Sequence, residues 1–188
     1  MKKIIKNGLV FIIIIGLGFN ANAIEGNSIE TTTIVTNEGT TVTVKNQNGK
    51  VIISEQLTTS EDLSNSAILG HLSDGIYTLE LDNGLEIEIT PFVVEDASID
   101  WRSNKKESVY KPIIQFDGKH VLFSRLSLTK EPMVIRVYNK RNRIVFTETI
   151  KNQIESQRVY DFSKMDDNNY KMIINSNDRI FYKTINLK

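Results

Sequence analysis

The sequence predicts an antiparallel all-β fold: two tandem β-sandwich units behind a signal peptide. Three observations carry that prediction. Apolar and polar residues alternate in Thr40–Asn46 ("TTVTVKN"), Ile76–Ile89 ("IYTLELDNGLEIEI") and Met133–Asn139 ("MVIRVYN"), the period of half-buried strands. Turn signals separate such runs at short intervals, and no stretch carries a capped helical stripe. The chain also resembles itself. Shifted by 93 residues, Val42–Glu95 lies on Ile135–Lys188 without a gap.

The N-terminus sets the compartment. Residues 1–23 read as a secretory signal peptide: Lys2, Lys3 and Lys6, then the apolar run Leu9–Phe19, then small residues at Ala21–Ala23. The apolar run is too short to span a bilayer comfortably. No later run approaches a span, so none is expected after cleavage. Cysteine is absent, which excludes disulfides and a cysteine-linked lipid anchor. Stability must come from packing.

The units are placed at residues 24–97 and 98–188. Formal net charge is zero, yet the first unit holds 2 basic and 13 acidic residues and the second 18 and 10, giving −11 and +8. Opposite halves favour docking on each other, head-to-tail contact between molecules or separate partners; two independently solvated surfaces would carry the same pattern. Hairpin turns are read at Gln47–Lys50, Asp82–Gly84 and Phe116–His120. A short helical turn is expected near Thr59–Ser66. "SVYKPIIQF" and "KHVLFSRLSL" supply two strands at the front of the second unit. The first has only "SIETTTIVT" there, so it reads as an incomplete sandwich that borrows an edge.

The repeat rests on few identities: Val44 with Val137, Asn46 with Asn139, Glu55 with Glu148, Asp74 with Asp167, Tyr77 with Tyr170 and Ile87 with Ile180. The turns add more. Gly49, Gly75 and Gly84 fall on Asn142, Asn168 and Asn177. Gly adopts positive φ freely and Asn tolerates it, so three shared left-handed positions are expected. Tyr77, Leu79 and Leu81 share one strand face. In immunoglobulin-like sandwiches a corner Tyr stands two residues before a core Cys, and its hydroxyl bonds back to upstream backbone. Asp74–Leu79 has that spacing with Leu79 in the Cys place, and Asp167–Met172 repeats it with Tyr170 and Met172. Tyr77, Leu79, Tyr170, Met172, Gly49, Gly75 and Gly84 are therefore the structural positions to test.

These residues resemble the small immunoglobulin-like repeats of secreted Bacteroidota proteins. More weakly, the last unit resembles the C-terminal sorting domain of the type IX secretion system. Tyr138-Asn139 stands for its "YN..G..V" hairpin, with Asn142 in place of Gly. Met165, Asn168 and Tyr170 stand for its "L..G.Y" corner, and Lys183 and Lys188 close the chain. Asn46, Gly49, Leu72, Gly75 and Tyr77 match in the first unit. A sorting domain occurs once, behind cargo, whereas here the motifs occur twice, and the usual Pro-Asn-Pro-like entry is missing. The resemblance implies export and a sandwich fold, with no reaction.

His71 and His120 are the only histidines and fall in different halves, so no catalytic residue is assigned. Zinc-type ligand clusters and calcium-loop spacing are absent from the pattern, and no metal or cofactor is expected. Lys140, Arg141 and Arg143 form a basic hairpin tip that could touch an anionic surface or simply be solvated. Trp101 reads as junction packing or a sugar platform. An exported chain without net basicity makes nucleic acid an unsuitable partner. The expectation is a non-catalytic binding or structural module of the periplasm, outer surface or medium. Its partner would be an unknown protein, a surface polysaccharide or a second copy, head to tail. The alternatives are a type IX-secreted protein with a C-terminal sorting unit and a carbohydrate-binding module.

Overall fold

The computed structural model describes residues 34–63 and 68–187. The predicted signal peptide, most of "SIETTTIVT" and the Ser64–Ser66 end of the predicted helical turn lie outside the described residues. The strands are β1 (Thr41–Asn46), β2 (Val51–Gln56), β3 (Gly75–Asp82), β4 (Glu86–Glu95), β5 (Ser98–Trp101), β6 (Glu107–Tyr110), β7 (Ile113–Asp117), β8 (His120–Leu126), β9 (Met133–Asn139), β10 (Ile144–Ile150), β11 (Glu155–Asp161), β12 (Asn169–Ser176) and β13 (Arg179–Asn186). All pairings between them are antiparallel.

The second unit is a complete sandwich. A four-stranded sheet ordered β10-β9-β12-β13 faces a three-stranded sheet ordered β11-β8-β7. Alternation on β8, β9 and β12 sends one face of each into a shared core. Val121 and Phe123 of β8 meet Met133, Ile135 and Val137 of β9 and Tyr170, Met172 and Ile174 of β12. Seven strands divided three and four, with crossing connections, make an immunoglobulin-like sandwich.

Among the described residues the first unit has one sheet, ordered β2-β1-β3-β4-β5, with β6 also on β4. Its inner face presents Val42, Val44, Tyr77, Leu79, Leu81, Phe92 and Val94. Where a second sheet would stand, Leu57, Leu63 and Leu69 of the β2–β3 connection close the core. Backbone bonds from Thr36 to Glu61 and from Leu63 to Ile34 fasten that connection. Over the described residues the unit is an incomplete sandwich, and its edge is completed from further along the chain. β5 pairs with Phe92–Glu95 and β6 with Glu86–Ile89, both on β4.

"SVYKPIIQF" is therefore divided. Glu107–Tyr110 joins the first sheet, and Ile113–Asp117 begins the second unit. Pro112 between them lacks an N–H and fixes φ, which interrupts a strand. Charge reverses at 97/98, whereas sheet pairing changes hands at Lys111–Pro112.

The registers of the two large sheets correspond at the 93-residue shift. Val44 opposes Leu79 and Ile53, as Val137 opposes Met172 and Phe146. Tyr77 opposes Phe92, as Tyr170 opposes Ile185. The hairpin before each outer strand is also built alike. The Asn46 Oδ1 accepts from the Asn48 and Lys50 N–H groups at 3.1 and 3.0 Å, and the Asn139 Oδ1 accepts from Arg141 and Arg143 at 3.1 and 3.0 Å.

Candidate functional site

Tyr77 stands at the start of β3, and its hydroxyl donates to the Ser73 carbonyl at 2.8 Å. Its ring stacks on Phe92 at 5.5 Å, and Phe92 meets Trp101 at 4.8 Å. Trp101 thus packs on the first core, at the end of an aromatic row. Tyr170 occupies the same place on β12. Its Oη accepts the Asp167 N–H at 2.9 Å, and its ring lies 5.2 Å from Phe162. Both hydroxyls reach back upstream, one as donor and one as acceptor. Leu79 and Met172 are fully buried.

The turn glycines divide. Gly49 and Gly84 have φ of +75° and +90°, and the matching Asn142 and Asn177 have +58° and +48°. Gly75 and Asn168 do not share a left-handed conformation, which corrects the third expected pair. Gly75 meets a spatial demand instead. A Cβ there would lie 3.3 Å from the Tyr77 ring.

A charged junction was not visible in the sequence. The Glu80 Oε1 on β3 accepts from Lys45 Nζ at 2.7 Å and from Arg179 Nη2 at 2.8 Å. Arg179 also reaches Oε2 at 3.3 Å. Arg179 opens β13, so this contact ties the acidic half to the basic half. Burial raises the Glu80 pKa, but the hydrogen bonds and charges of Arg179 and Lys45 outweigh it and hold the carboxyl below its ordinary value. Nearby, Lys111 Nζ forks both Asp82 oxygens at 2.8 Å. An open cleft of about 590 Å³ lies beside these pairs, lined by Asp82, Lys111, Ile114, Arg179, Tyr182 and Lys183 among others.

His71 and His120 are exposed. His120 Nε2 lies 3.9 Å from Asp161, whose Oδ1 accepts the Ser163 N–H at 2.7 Å. That hydrogen bond is the main cause of the lowered Asp161 pKa. Arg125 is inward-facing on β8, with a side chain 2% exposed. It touches Glu131 only at 3.5 Å, and its Nε has no hydrogen-bond partner. Of the basic hairpin, Lys140 is committed to Asp167 at 2.7 Å.

At the outer strand β10, Glu148 binds Arg158 Nε and Tyr160 Oη, each at 2.7 Å. Phe146 meets the Tyr160 ring edge-on at 5.4 Å. Burial and the bond to Glu148 both push the Tyr160 phenol well above its ordinary pKa.

Residues 28–95 match the family model described as a secretion system C-terminal sorting domain. Asn46, Gly49, Leu72, Gly75 and Tyr77 lie within that span. Tyr138, Asn139, Met165 and Tyr170, which carry the same motifs in the last unit, lie beyond it. No curated protein matches the chain.

Proposed function

We propose that this chain is an exported, non-catalytic binding or structural module built from two copies of one sorting-type unit, joined through a charged junction. The observation that carries the reading is the match of residues 28–95 to a secretion sorting domain. Support for duplication comes from the shared registers, the paired Asn46 and Asn139 turns and the two tyrosine corners. The conspicuous positions of the molecule serve the fold: Tyr77 and Tyr170 pin corners, and Leu79 and Met172 fill cores. Ligand contact then falls to edges, loops and the cleft beside β13.

A second reading keeps the secretion link but makes the last unit an export signal that is removed in transit. The intact mass of the protein from periplasm, outer membrane and medium separates the two. A mature mass running from Ile24 to Lys188 supports the module. A mass ending between the two units, near Lys111–Pro112, supports the removed signal and overturns the module. A mass that still includes residues 1–23 overturns the signal peptide.

A further inference from the structure

We propose that Arg125 anchors a binding site for a carboxylate carried on a compact apolar body, taken into the cleft between β6 and β8 in place of the Glu131 side chain. The inference rests on side-chain geometry, so it stands or falls apart from the export reading.

A guanidinium has five N–H donors and keeps its charge in a protein. Arg125 carries that group on the inward face of β8, with 2% of its side chain exposed. Its Nη1 donates to the Glu131 carbonyl and its Nη2 to Glu131 Oε2, both at 3.5 Å, longer than an ordinary hydrogen bond. Nε has no partner among the described residues. Burial pulls the guanidinium below its ordinary pKa, and Glu131 restores only part of the loss. Buried polar atoms without partners are rare, and a buried charge paired this loosely is weak support for a fold.

The atoms left short of partners say what would complete them. Nε–H and one Nη2–H lie along one edge of the planar group, a fork that takes both oxygens of a carboxylate. Glu131 meets that edge with one oxygen, at Nη2. The Glu131 backbone is held separately, its N–H by Ser127 Oγ at 3.1 Å, and its side chain is 27% exposed. The side chain can therefore turn into solvent while the loop stays in place. A carboxylate centred on the edge then bonds both prongs.

Arg125 lines two open clefts that share Tyr110 and Leu126. One, of about 340 Å³, is also lined by Lys106, Ser127 and Glu131. The other, of about 420 Å³, runs to Leu85 and Ile113, which are 70% and 47% exposed and offer apolar surface to a ligand body. Lys106 is paired with Glu88 at 2.6 Å and Lys111 with Asp82 at 2.8 Å. Among the described residues on these walls, Arg125 is the cation without a close carboxylate.

NMR titration of the protein with hexanoate, acetate and hexanol at constant ionic strength tests the site. Loss of a signal in Arg125→Met assigns the Arg125 Nε–H, with Arg125→Lys, which keeps the charge without the fork, as the second variant should the first fail to fold. Hexanoate should move that signal and the Ser127–Glu131 amides saturably, acetate should bind more weakly, and hexanol should move neither. Arg125→Met should lose the amide response. Glu131→Gln should bind hexanoate about fivefold tighter, because more molecules then hold the fork open. Signals that hexanoate leaves unmoved in wild type and in Glu131→Gln overturn the proposal. So does an Arg125 variant that binds as tightly as wild type, and so does weaker binding by Glu131→Gln. Acetate binding as tightly as hexanoate overturns the apolar body.

Discussion

Replacing Glu80 by Gln should loosen the join between the two units. Glu80 is 12% exposed at its side chain, Lys45 29% and Arg179 23%. An exposed ion pair is worth about 0–1 kcal/mol, and breaking a buried one costs about 3–5 kcal/mol. This network lies between those limits, and Glu80 is its only anion. Gln keeps the shape but leaves two cations facing a neutral amide, so a loss of about 2 kcal/mol is expected. Arg179→Met should cost less, about 1 kcal/mol, because Glu80 keeps Lys45. The double variant should show a coupling of about 1 kcal/mol. The pH dependence has a fixed sign. The folded Glu80 pKa lies below its ordinary value of 4.5, so its contribution is present above that value and fades as pH falls through the folded pKa. Urea unfolding followed by Trp101, the chain's single Trp, reads the first core directly. The gap between wild type and Glu80→Gln should be open at neutral pH and close in acid. A variant as stable as wild type at neutral pH, or a gap that persists at pH well below 4.5, would refute the reasoning.

The other predictions concern single groups. Tyr77→Phe should cost about 1 kcal/mol, since water can replace the hydroxyl at the exposed Ser73 carbonyl; Tyr170→Phe strands the partly buried Asp167 N–H and should cost more, about 1–3 kcal/mol. Equal midpoints for wild type and both variants would remove the corner assignment. Arg125→Met should lie within about 1 kcal/mol of wild type or be more stable, because the guanidinium is buried, loosely paired and short of one partner; a loss beyond 2 kcal/mol in chemical denaturation would count against that account, by the same scale. Tyr160 has a folded pKa above its ordinary 10.0, so its contribution is complete below that pH and is lost as pH rises through the folded value. The stability difference between wild type and Tyr160→Phe should narrow in alkali, and a difference independent of pH would disprove the buried phenol.

Strand identity was legible because it is local. The alternation in Thr41–Asn46 and Gly75–Asp82 names the buried face, and Asn-Gly turns name the hairpins. The tyrosine corners were legible for the same reason, since each hydroxyl bonds within four residues of its own ring. Partner choice was not. "SVY" reads as a strand anywhere, and only the packed molecule assigns it to β4. Glu80 and Arg179 stand 99 residues apart, and no periodicity relates them. Gly75 looked like a turn glycine because Gly serves both positive φ and close approach, and sequence does not distinguish the two uses. Ile87 and Ile180 show the same limit. They match at the 93-residue shift, yet Ile87 is buried beneath β6 pairing while Ile180 is 52% exposed, since β13 gains no equivalent of β6.

The passage from β6 to β7 also decides how the molecule carries tension. Only Lys111 and Pro112 separate a strand of the first sheet from a strand of the second. The Lys111 N–H is held by the Leu85 carbonyl and its ammonium by Asp82, while Pro112 removes one torsion. Slack is therefore almost nil at this point. A pull that enters the second sandwich through Ile113 arrives at once on the four-residue β4–β6 ladder. That ladder is short compared with the eight paired positions of β3 and β4. Under load it is the weak link, and its rupture would pay out the nine residues from Arg102 to Tyr110 as extensible chain while β5 and the aligned β1–β3–β4 strands stayed together.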